Sequence, residues 1–338
     1  MKVIRRHPAT VIPLSNDKRT KIWKLSNQSR YLCRMMTDKL RAYFALHFCV
    51  LIWGFTAILG KLISLQALPL VWWRVLLCCV ALVLFMPRAQ IKGVSKRQFL
   101  RLFGVGILVG IHWLCFYGAI KIANASIGVA SMATTAFFAA LAEPVFMKQK
   151  IKWYELALGI LILPGMLLIA GSIDWTMRAG LALGILGALL AAVFTALNKR
   201  ILENDPSPPL TMSLVELSGG LAVTSVVMLP MLWYNPEMPV LLQGWDWLWI
   251  LVLSLVCTLL PYYLTLQAMR YLTAFATNLT INLEPVYGVL LAALLFREDK
   301  DLGPHFYIGM AIILLAVFGH PFLKKIFEKK APATVPVS

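Results

Sequence analysis

Two apolar runs, residues 99–120 and 125–147, are parted only by Lys121-Ile122-Ala123-Asn124, and they limit more than any other feature how this chain folds. Each is long enough to cross a bilayer, which takes about 20 apolar residues. Inside lipid, backbone N–H and C=O groups find no water, so a crossing segment must be a helix or a strand of a closed barrel. Barrel strands alternate over roughly ten residues. These runs are continuously apolar, and helices follow. The first carries a histidine near its middle, in Ile111-His112-Trp113-Leu114-Cys115-Phe116-Tyr117. The second carries Ser131, Thr134, Thr135 and, nearer its end, Glu143-Pro144. Polar groups set at such depth are costly and turn toward protein or a water-filled cavity.

The same reading extends along the chain. Of its 338 residues 60% are hydrophobic and 14% charged, with mean hydropathy +0.77. A soluble domain of this size is nearer a quarter charged. The expectation is an all-α membrane protein with ten transmembrane helices, at residues 43–63, 69–86, 99–120, 125–147, 153–172, 178–200, 210–233, 247–268, 273–296 and 304–323. Pro, Gly or charge marks most connections, as at Met86-Pro87-Arg88, Asn204-Asp205-Pro206 and Tyr234-Asn235-Pro236. A basic arm, residues 1–42, precedes the spans and carries eleven Lys or Arg against Asp17 and Asp38. Its composition predicts a flexible segment at a membrane face. Met35 or Met36 is an alternative start. A short basic tail, residues 324–338, follows the last span.

The net charge of +17 raises the question of nucleic acid, since basic domains attract phosphate. Its distribution answers otherwise. With the N-terminus inside, inner segments collect 26 Lys and Arg, including Arg88, Lys92, Lys96, Arg97 and Arg101, against five outside: Lys61, Lys121, Arg178, Arg297 and Lys300. The positive-inside rule then places both termini in the cytoplasm, in a cell inner membrane. The six cysteines, Cys33, Cys49, Cys78, Cys79, Cys115 and Cys257, show no C-x-x-C pattern. They read as small apolar fillers, with neither a disulfide framework nor a metal site indicated.

The two halves carry related landmarks. Phe55-Thr56-Ala57 matches Phe194-Thr195-Ala196, Lys61 is answered by Arg200, and Ala119-Ile120-Lys121 pairs with Ala268-Met269-Arg270. Pro87 and Pro230 close the second and seventh spans. Five spans per half is an odd number, so the second half enters the membrane inverted. Inverted repeats place a binding site near the midplane, between halves that rock around it.

At these residues the chain resembles the EamA branch of the drug/metabolite transporter superfamily. The likeness covers nearly all of residues 40–323. It rests on Leu51-Ile52-Trp53-Gly54-Phe55-Thr56, on Pro69 to Arg74, on His112-Trp113 through Tyr117-Gly118-Ala119-Ile120-Lys121, and on Asn282-Leu283-Glu284-Pro285-Val286. The resemblance implies two tandem EamA repeats, residues 43–172 and 178–323. Such proteins export or exchange amino acids, other metabolites, nucleotide sugars or drugs, so the substrate stays open. The basic arm lies outside the pattern.

Depth selects the candidate site. His112 and Glu284 lie near the middle of the third and ninth spans, where charging either costs several kcal/mol unless it is paired or hydrated. Both are candidate solute or proton contacts; the alternative is structural, with Glu284 capping freed backbone groups and a neutral His112 tying two helices together. Arg74 is close to one end of its helix, where its stem can snorkel to water, and it is a candidate gate or carboxylate anchor. Glu216, about two turns into the seventh span, is a second gate or anchor candidate. Glu143 sits beside Lys148 and Lys150, which suggests a local ion pair. Thr135 shares a helix face with Ser131, as Asn282 does with Asn278, and these groups would bond a polar solute or a neighbouring helix. Trp53, Trp113, Tyr117, Tyr262 and Tyr263 are candidate cavity walls, while Trp245, Trp247 and Trp249 suit the interfacial belt. Pro144, Pro261 and Pro285 are expected to kink their helices.

Enzyme readings are thin. Every aspartate falls in a loop of this map, which removes a paired-aspartate intramembrane protease. Neither an H-E-x-x-H pair nor a G-x-x-x-x-G-K-[ST] nucleotide loop is present. The expectation is therefore a secondary transporter that exports small polar metabolites, such as amino acids, by alternating access. Its solute-binding residues would be His112, Trp113, Tyr117, Thr135, Asn282 and Glu284, with Arg74 and Glu216 as gate or anchor. Its partners would be the small-molecule solute, membrane lipid and protons as coupling ion. No cofactor, metal or nucleic acid is expected, and a homodimer stays open. The alternatives are a flippase for lipid-linked head groups, and a membrane sensor or assembly partner acting through the basic arm.

Overall fold

The computed structural model describes residues 16–87, 94–171, 173–204, 207–281, 283–284, 287–288, 291, 294–295 and 303–328. The side chains of residues 16–35, 170, 317, 320, 321, 324 and 328 are outside that description. Among the described residues the secondary structure is entirely helical. In chain order the elements are α1 (Asn16–Leu62), α2 (Ala67–Phe85), α3 (Lys96–Ile122), α4 (Ala125–Met132), α5 (Thr135–Met147) and α6 (Trp153–Gly171). A short 3₁₀ turn, Trp175–Met177, leads into α7 (Arg178–Asn204), and α8 (Pro209–Tyr234) follows. Then come α9 (Asp246–Leu251), a π-helical stretch (Val252–Leu259), α10 (Leu260–Ala268), α11 (Ala274–Ile281) and α12 (Pro304–Glu328).

Seven stretches are long and apolar enough to cross a membrane: Met36–Leu62, Ala67–Phe85, Lys96–Ile122, Ala125–Met147, Trp175–Asn204, Pro209–Tyr234 and Asp246–Ala268. Two shorter apolar helices, Trp153–Ile169 and Pro304–Ala316, stand where the fifth and tenth spans are expected. The expected ninth span begins with α11, and most of its remainder, with Asn282 and Pro285, lies outside the described residues. The chain is thus a multi-pass membrane protein.

The chain divides into residues 1–41 and residues 42–338. In the first unit Arg41 lies 3.9 Å from Asp38, one turn earlier. Helix begins at Asn16, inside the stretch that composition sets apart as an arm.

Local sequence explains the helix ends in the second unit. Ser95 accepts the Gln98 N–H at the start of α3 (3.2 Å), and Asn124 accepts the Ile127 N–H at the start of α4 (2.8 Å). Both side chains satisfy amides that a helix leaves bare. At the far end of α5 Lys148 adopts a left-handed conformation, φ 54°, and stops the helix.

Irregular backbone lies ahead of two of the prolines. α5 runs through Pro144 as helix, and the fourth span breaks earlier, at Ala133-Thr134. There the backbone tightens to three-residue bonds, Ala133 N–H to Ala130 O and Thr134 N–H to Ser131 O. The Ser131 and Thr134 hydroxyls also turn back on the chain, to the Gly128 and Ser131 carbonyls, which competes with regular helix geometry. The eighth span widens into a π stretch just ahead of Pro261.

Packing between helices uses small residues, as expected where lipid is as apolar as the helix surface. α3 lies along both α7 and α8, and α6 along α12. A Cβ on Gly106 would overlap the Glu216 carbonyl, and one on Gly165 would meet the Gly309 carbonyl at 2.7 Å. Only glycine allows these backbones to approach so closely. Five cysteines, Cys49, Cys78, Cys79, Cys115 and Cys257, are buried free thiols, in keeping with a filler role.

The bundle has two recognisable ends. At one, Lys121 at the end of α3 donates to the Ile63 carbonyl (2.7 Å), and Asp246 at the start of α9 accepts both the N–H and the hydroxyl of Ser64. At the other, Lys199 near the end of α7 donates to the Met269 carbonyl (2.9 Å), Arg270 donates to the Ser207 carbonyl (2.8 Å), and Gln98 bonds the Ser207 hydroxyl. Lys121 and Lys199 each meet a carbonyl at a helix C-terminus, where cations are favoured.

Candidate functional site

Between the halves lies a cavity of about 110 Å³. It would hold three or four waters at roughly 30 Å³ each. Trp53, Arg74, Trp113 and Thr135 reach it from the first half of the chain, and Asn198, Thr258, Tyr262 and Glu284 from the second. The lining is skewed along the helix axes. Asn198, Met269 and Asn278 carry it toward the end where α7 finishes and α11 starts, away from the Ser64–Asp246 contact.

Arg74 does not snorkel. Its side chain is only 2% exposed and turns inward. Nε donates to the Thr258 hydroxyl (2.5 Å) and Nη1 to the Tyr117 hydroxyl (2.8 Å). The guanidinium carbon sits 4.2 Å from the centroid of the Trp113 ring, over its face, and 5.3 Å from that of Tyr117. A desolvated cation–π contact of this kind contributes about 2 kcal/mol. The π stretch supplies the key partner: the Thr258 hydroxyl donates to the Leu253 carbonyl five residues back (2.5 Å), so its lone pair is left for Arg74. Such local widenings recur at functional sites. Among the described residues no carboxylate forms an ion pair with Arg74. Its charge is held by neutral groups and a ring face, and it borders the cavity.

His112 is buried with Nδ1 2.8 Å from the Gly187 carbonyl and its ring edge-on to Phe194, 5.4 Å between centroids. A carbonyl accepts only, so Nδ1 carries the hydrogen, and in the neutral ring Nε2 is left as an acceptor. The contact ties α3 to α7 while the ring borders the cavity. Glu284 also borders it, with no hydrogen-bond partner among the described residues. The Thr135 hydroxyl and the Asn278 amide nitrogen are buried lining groups without partners.

The other expected residues divide three ways. Trp113 forms a wall and meets Tyr262 edge-on, 6.1 Å between centroids. Tyr117 acts one step back, through Arg74, and Tyr263 takes a bond from Gln267 rather than lining the cavity. Asn282 lies outside the described residues. Glu216 is fully buried and does not line the cavity; Asn198 Nδ2 (3.0 Å) and the Tyr262 hydroxyl both bond its Oε2. Glu143 is not engaged with Lys148 or Lys150. Its carboxylate accepts the Phe275 N–H in the first turn of α11, a site that draws acidic groups because helix N-termini are electropositive.

Sequence reading missed Asn198, Thr258 and Asp246. Asn198 follows Phe194-Thr195 by one turn on the face where that repeated motif meets the cavity, and this was the available signal. Thr258 had none, since a regular helix would have turned it elsewhere. Among the described residues no cluster of three or more His, Cys, Asp or Glu is arranged to hold a metal.

Comparison with known proteins fits this geometry. A crystal structure superposes with TM-score 0.62 at 15% identity, over 85% of this chain and 99% of the other, which establishes a shared fold. An uncharacterized transporter of Bacillus subtilis (strain 168), YxxF, is 24% identical over 231 residues, 65% of this chain and 71% of that protein. The model of the EamA-like transporter family matches twice in tandem, at residues 40–171 and 178–320. Two matches, one to each side of the cavity, account for its walls being drawn from both halves, and the chain belongs to the EamA-like transporter family.

Proposed function

We propose that the protein is an inner-membrane exporter of small polar metabolites, such as amino acids, working by alternating access. Its ten crossings form two five-helix repeats of opposite sense, residues 43–172 and 178–323, with the basic arm and tail in the cytoplasm. The observation that carries this reading is the cavity itself. It sets a guanidinium that forms no ion pair among the described residues, Arg74, in the same cavity as a carboxyl group without a described partner, Glu284. A zwitterionic solute complements both. Its anionic end would pair with the free edge of Arg74, and its ammonium group would meet Glu284 and the Nε2 lone pair of His112. Asn278 and Thr135 add polar contacts, and Trp53, Trp113 and Tyr262 accept apolar substituents.

The skewed lining supports an accessible side as well. Under the cytoplasmic placement of both termini, the end toward which Asn198 and Met269 extend the cavity faces the cytoplasm, and the Ser64–Asp246 contact closes the outer end. A solute would then load from inside, and export follows when the outer contact opens. Uptake and efflux by purified protein in liposomes, run against a metabolite panel, test the reading. Saturable flux of at least one amino acid or similar polar solute is expected, and Glu284→Gln and His112→Ala should each depress it. Wild-type rate and pH dependence in both variants would remove the site assignment.

A further inference from the structure

Glu216 and Asn198 leave two buried acceptors unanswered. Oε2 of Glu216 receives the Asn198 amide (3.0 Å) and the Tyr262 hydroxyl. Oε1 of the same carboxyl group has no partner among the described residues, and neither has Oδ1 of Asn198, although both atoms are buried. An ionised carboxylate can only accept, and so can an amide oxygen. Two orphaned acceptors on one contacting pair, fully out of water, each carry the desolvation cost of an unmade hydrogen bond.

One added hydrogen removes both. With a proton on Oε1, Glu216 becomes a donor toward Asn198 Oδ1 while Oε2 keeps its two donors, the reciprocal pairing of a carboxylic acid with a primary amide. We propose that Glu216 is a proton-binding site of this protein, occupied in the structure described above and locked by Asn198. The proposal rests on the transporter reading for its use but not for its chemistry.

The surroundings favour a neutral group. Helices packed against α8 bring Arg74, Cys78 and Cys79 from α2, Arg101, His112 and Tyr117 from α3, and Tyr262 and Tyr263 from α10, while α7 reaches it through Asn198 beside Lys199. Of these only Tyr262 and Asn198 bond the Glu216 carboxyl among the described residues. Among the described residues no cation lies within ion-pairing distance of it.

Both bonding partners line the solute cavity, while Glu216 does not. That placement couples the proton to occupancy. A solute that takes the Asn198 amide strips the carboxyl of one donor and of its proton acceptor, and one that takes the Tyr262 hydroxyl strips the other donor. One O–H bond then changes hands: Oε1 releases its proton to cavity water when the pair opens toward one side, and takes one up when it opens toward the other.

Difference infrared spectroscopy on the full chain in lipid, at neutral pH, reads the proton directly. Wild type should show an un-ionised carboxyl stretch that E216Q lacks, with Gln filling the same space and keeping the same pairing to Asn198. Y262F, which keeps the acid and removes one donor, should shift that band rather than abolish it. This second variant decides the question if E216Q does not fold. Equal un-ionised carboxyl intensity in wild type and E216Q, or no shift in Y262F, overturns the proposal. In liposomes, an imposed pH gradient should stimulate wild-type flux of the panel solutes at least tenfold more than E216Q flux. A band that is present with equal pH stimulation in both proteins overturns the coupling role. Should wild type move no solute at all, the exporter reading fails, and the infrared result still decides whether Glu216 holds the proton.

Discussion

Two buried polar clusters face each other across this protein, and they are built on opposite plans. Around Arg74 a permanent charge meets only neutral partners: the Thr258 and Tyr117 hydroxyls and the face of Trp113. Around Glu216 a group that can lose its charge is bonded on one oxygen and bare on the other. Guanidinium cannot shed its proton in a protein, so a cluster of the first kind keeps its positive field and looks outward for an anion. A carboxyl group of the second kind settles its own accounts by holding hydrogen. The two are joined by an aromatic step, since Trp113 carries the Arg74 cation and touches Tyr262, which bonds Glu216. On the proposed reading, solute attraction and proton exchange occupy separate residues that share a wall.

The sharpest way to break this contrast is to remove the fixed charge. Arg74→Met replaces a buried cation by an apolar chain of similar reach. Losing one member of a desolvated charge contact costs about 2–5 kcal/mol of binding, so flux at limiting solute should fall ~30-fold or more, since each tenfold is about 1.4 kcal/mol. Thermal stability should stay level or rise, because replacing a buried ionic group by a well-packed apolar one is commonly neutral or favourable. Flux and melting temperature falling together would mean that Arg74 is a structural strut. A smaller loss, ~10-fold in flux, is expected for Glu284→Gln on the same assay, with little change in melting temperature.

How much of this was visible beforehand differs between the clusters. Hydropathy located every crossing segment that the structure describes, because a lipid-length apolar run permits little besides helix. Depth within those runs picked out His112 and Glu284, and the family resemblance kept Arg74 among the candidates; all three border the cavity. Depth could not say which way a side chain turns. Arg74 is near a helix end along the chain, yet it is directed at Thr258 because the eighth span widens into a π stretch. The repeat match of Phe55-Thr56 with Phe194-Thr195 was a better guide than its few identities suggested, since Thr56, Phe194 and Thr195 all line the cavity. The break at Ala133-Thr134 was illegible, because hydroxyl groups returning to their own backbone make it and no proline or glycine marks it.

A matched pair of tyrosine variants sharpens the comparison further. Tyr117→Phe removes the acceptor beneath Arg74 Nη1, and Tyr262→Phe removes a donor to Glu216. Each loses a buried bond to an ionisable partner, and if both partners were charged the losses would be about 1.5–3 kcal/mol apiece. Glu216 held as a neutral acid makes the second bond an ordinary one, worth about 1 kcal/mol. Melting curves of the two variants should therefore separate, with Tyr117→Phe the less stable. Equal destabilisation would argue that Glu216 is ionised.

The smallest expected effect lies away from both clusters, at the end the cavity does not reach. Asp246 accepts the Ser64 N–H and hydroxyl there, joining the start of α9 to the end of α1 across the two halves. Asp246→Asn keeps an acceptor for the Ser64 N–H and turns the second contact round, its amide donating to the Ser64 hydroxyl, so the charge assistance of the carboxylate goes and about 0.5–1.5 kcal/mol is lost. If this contact closes the outer end, the loss falls on the closed state alone. Solute bound from the cytoplasmic side should then dissociate faster toward the outside, raising single-direction efflux about twofold to tenfold by the conversion of 1.36 kcal/mol per decade. The clusters should not notice: the infrared band assigned to Glu216 and the Arg74→Met defect should be unchanged in the double variants. An Asp246→Asn protein with wild-type efflux and a lowered melting temperature would make the contact a brace in every state, and the outer gate would have to be sought elsewhere along α2, where Trp72 and Trp73 reach Ser225 and the Val240 carbonyl.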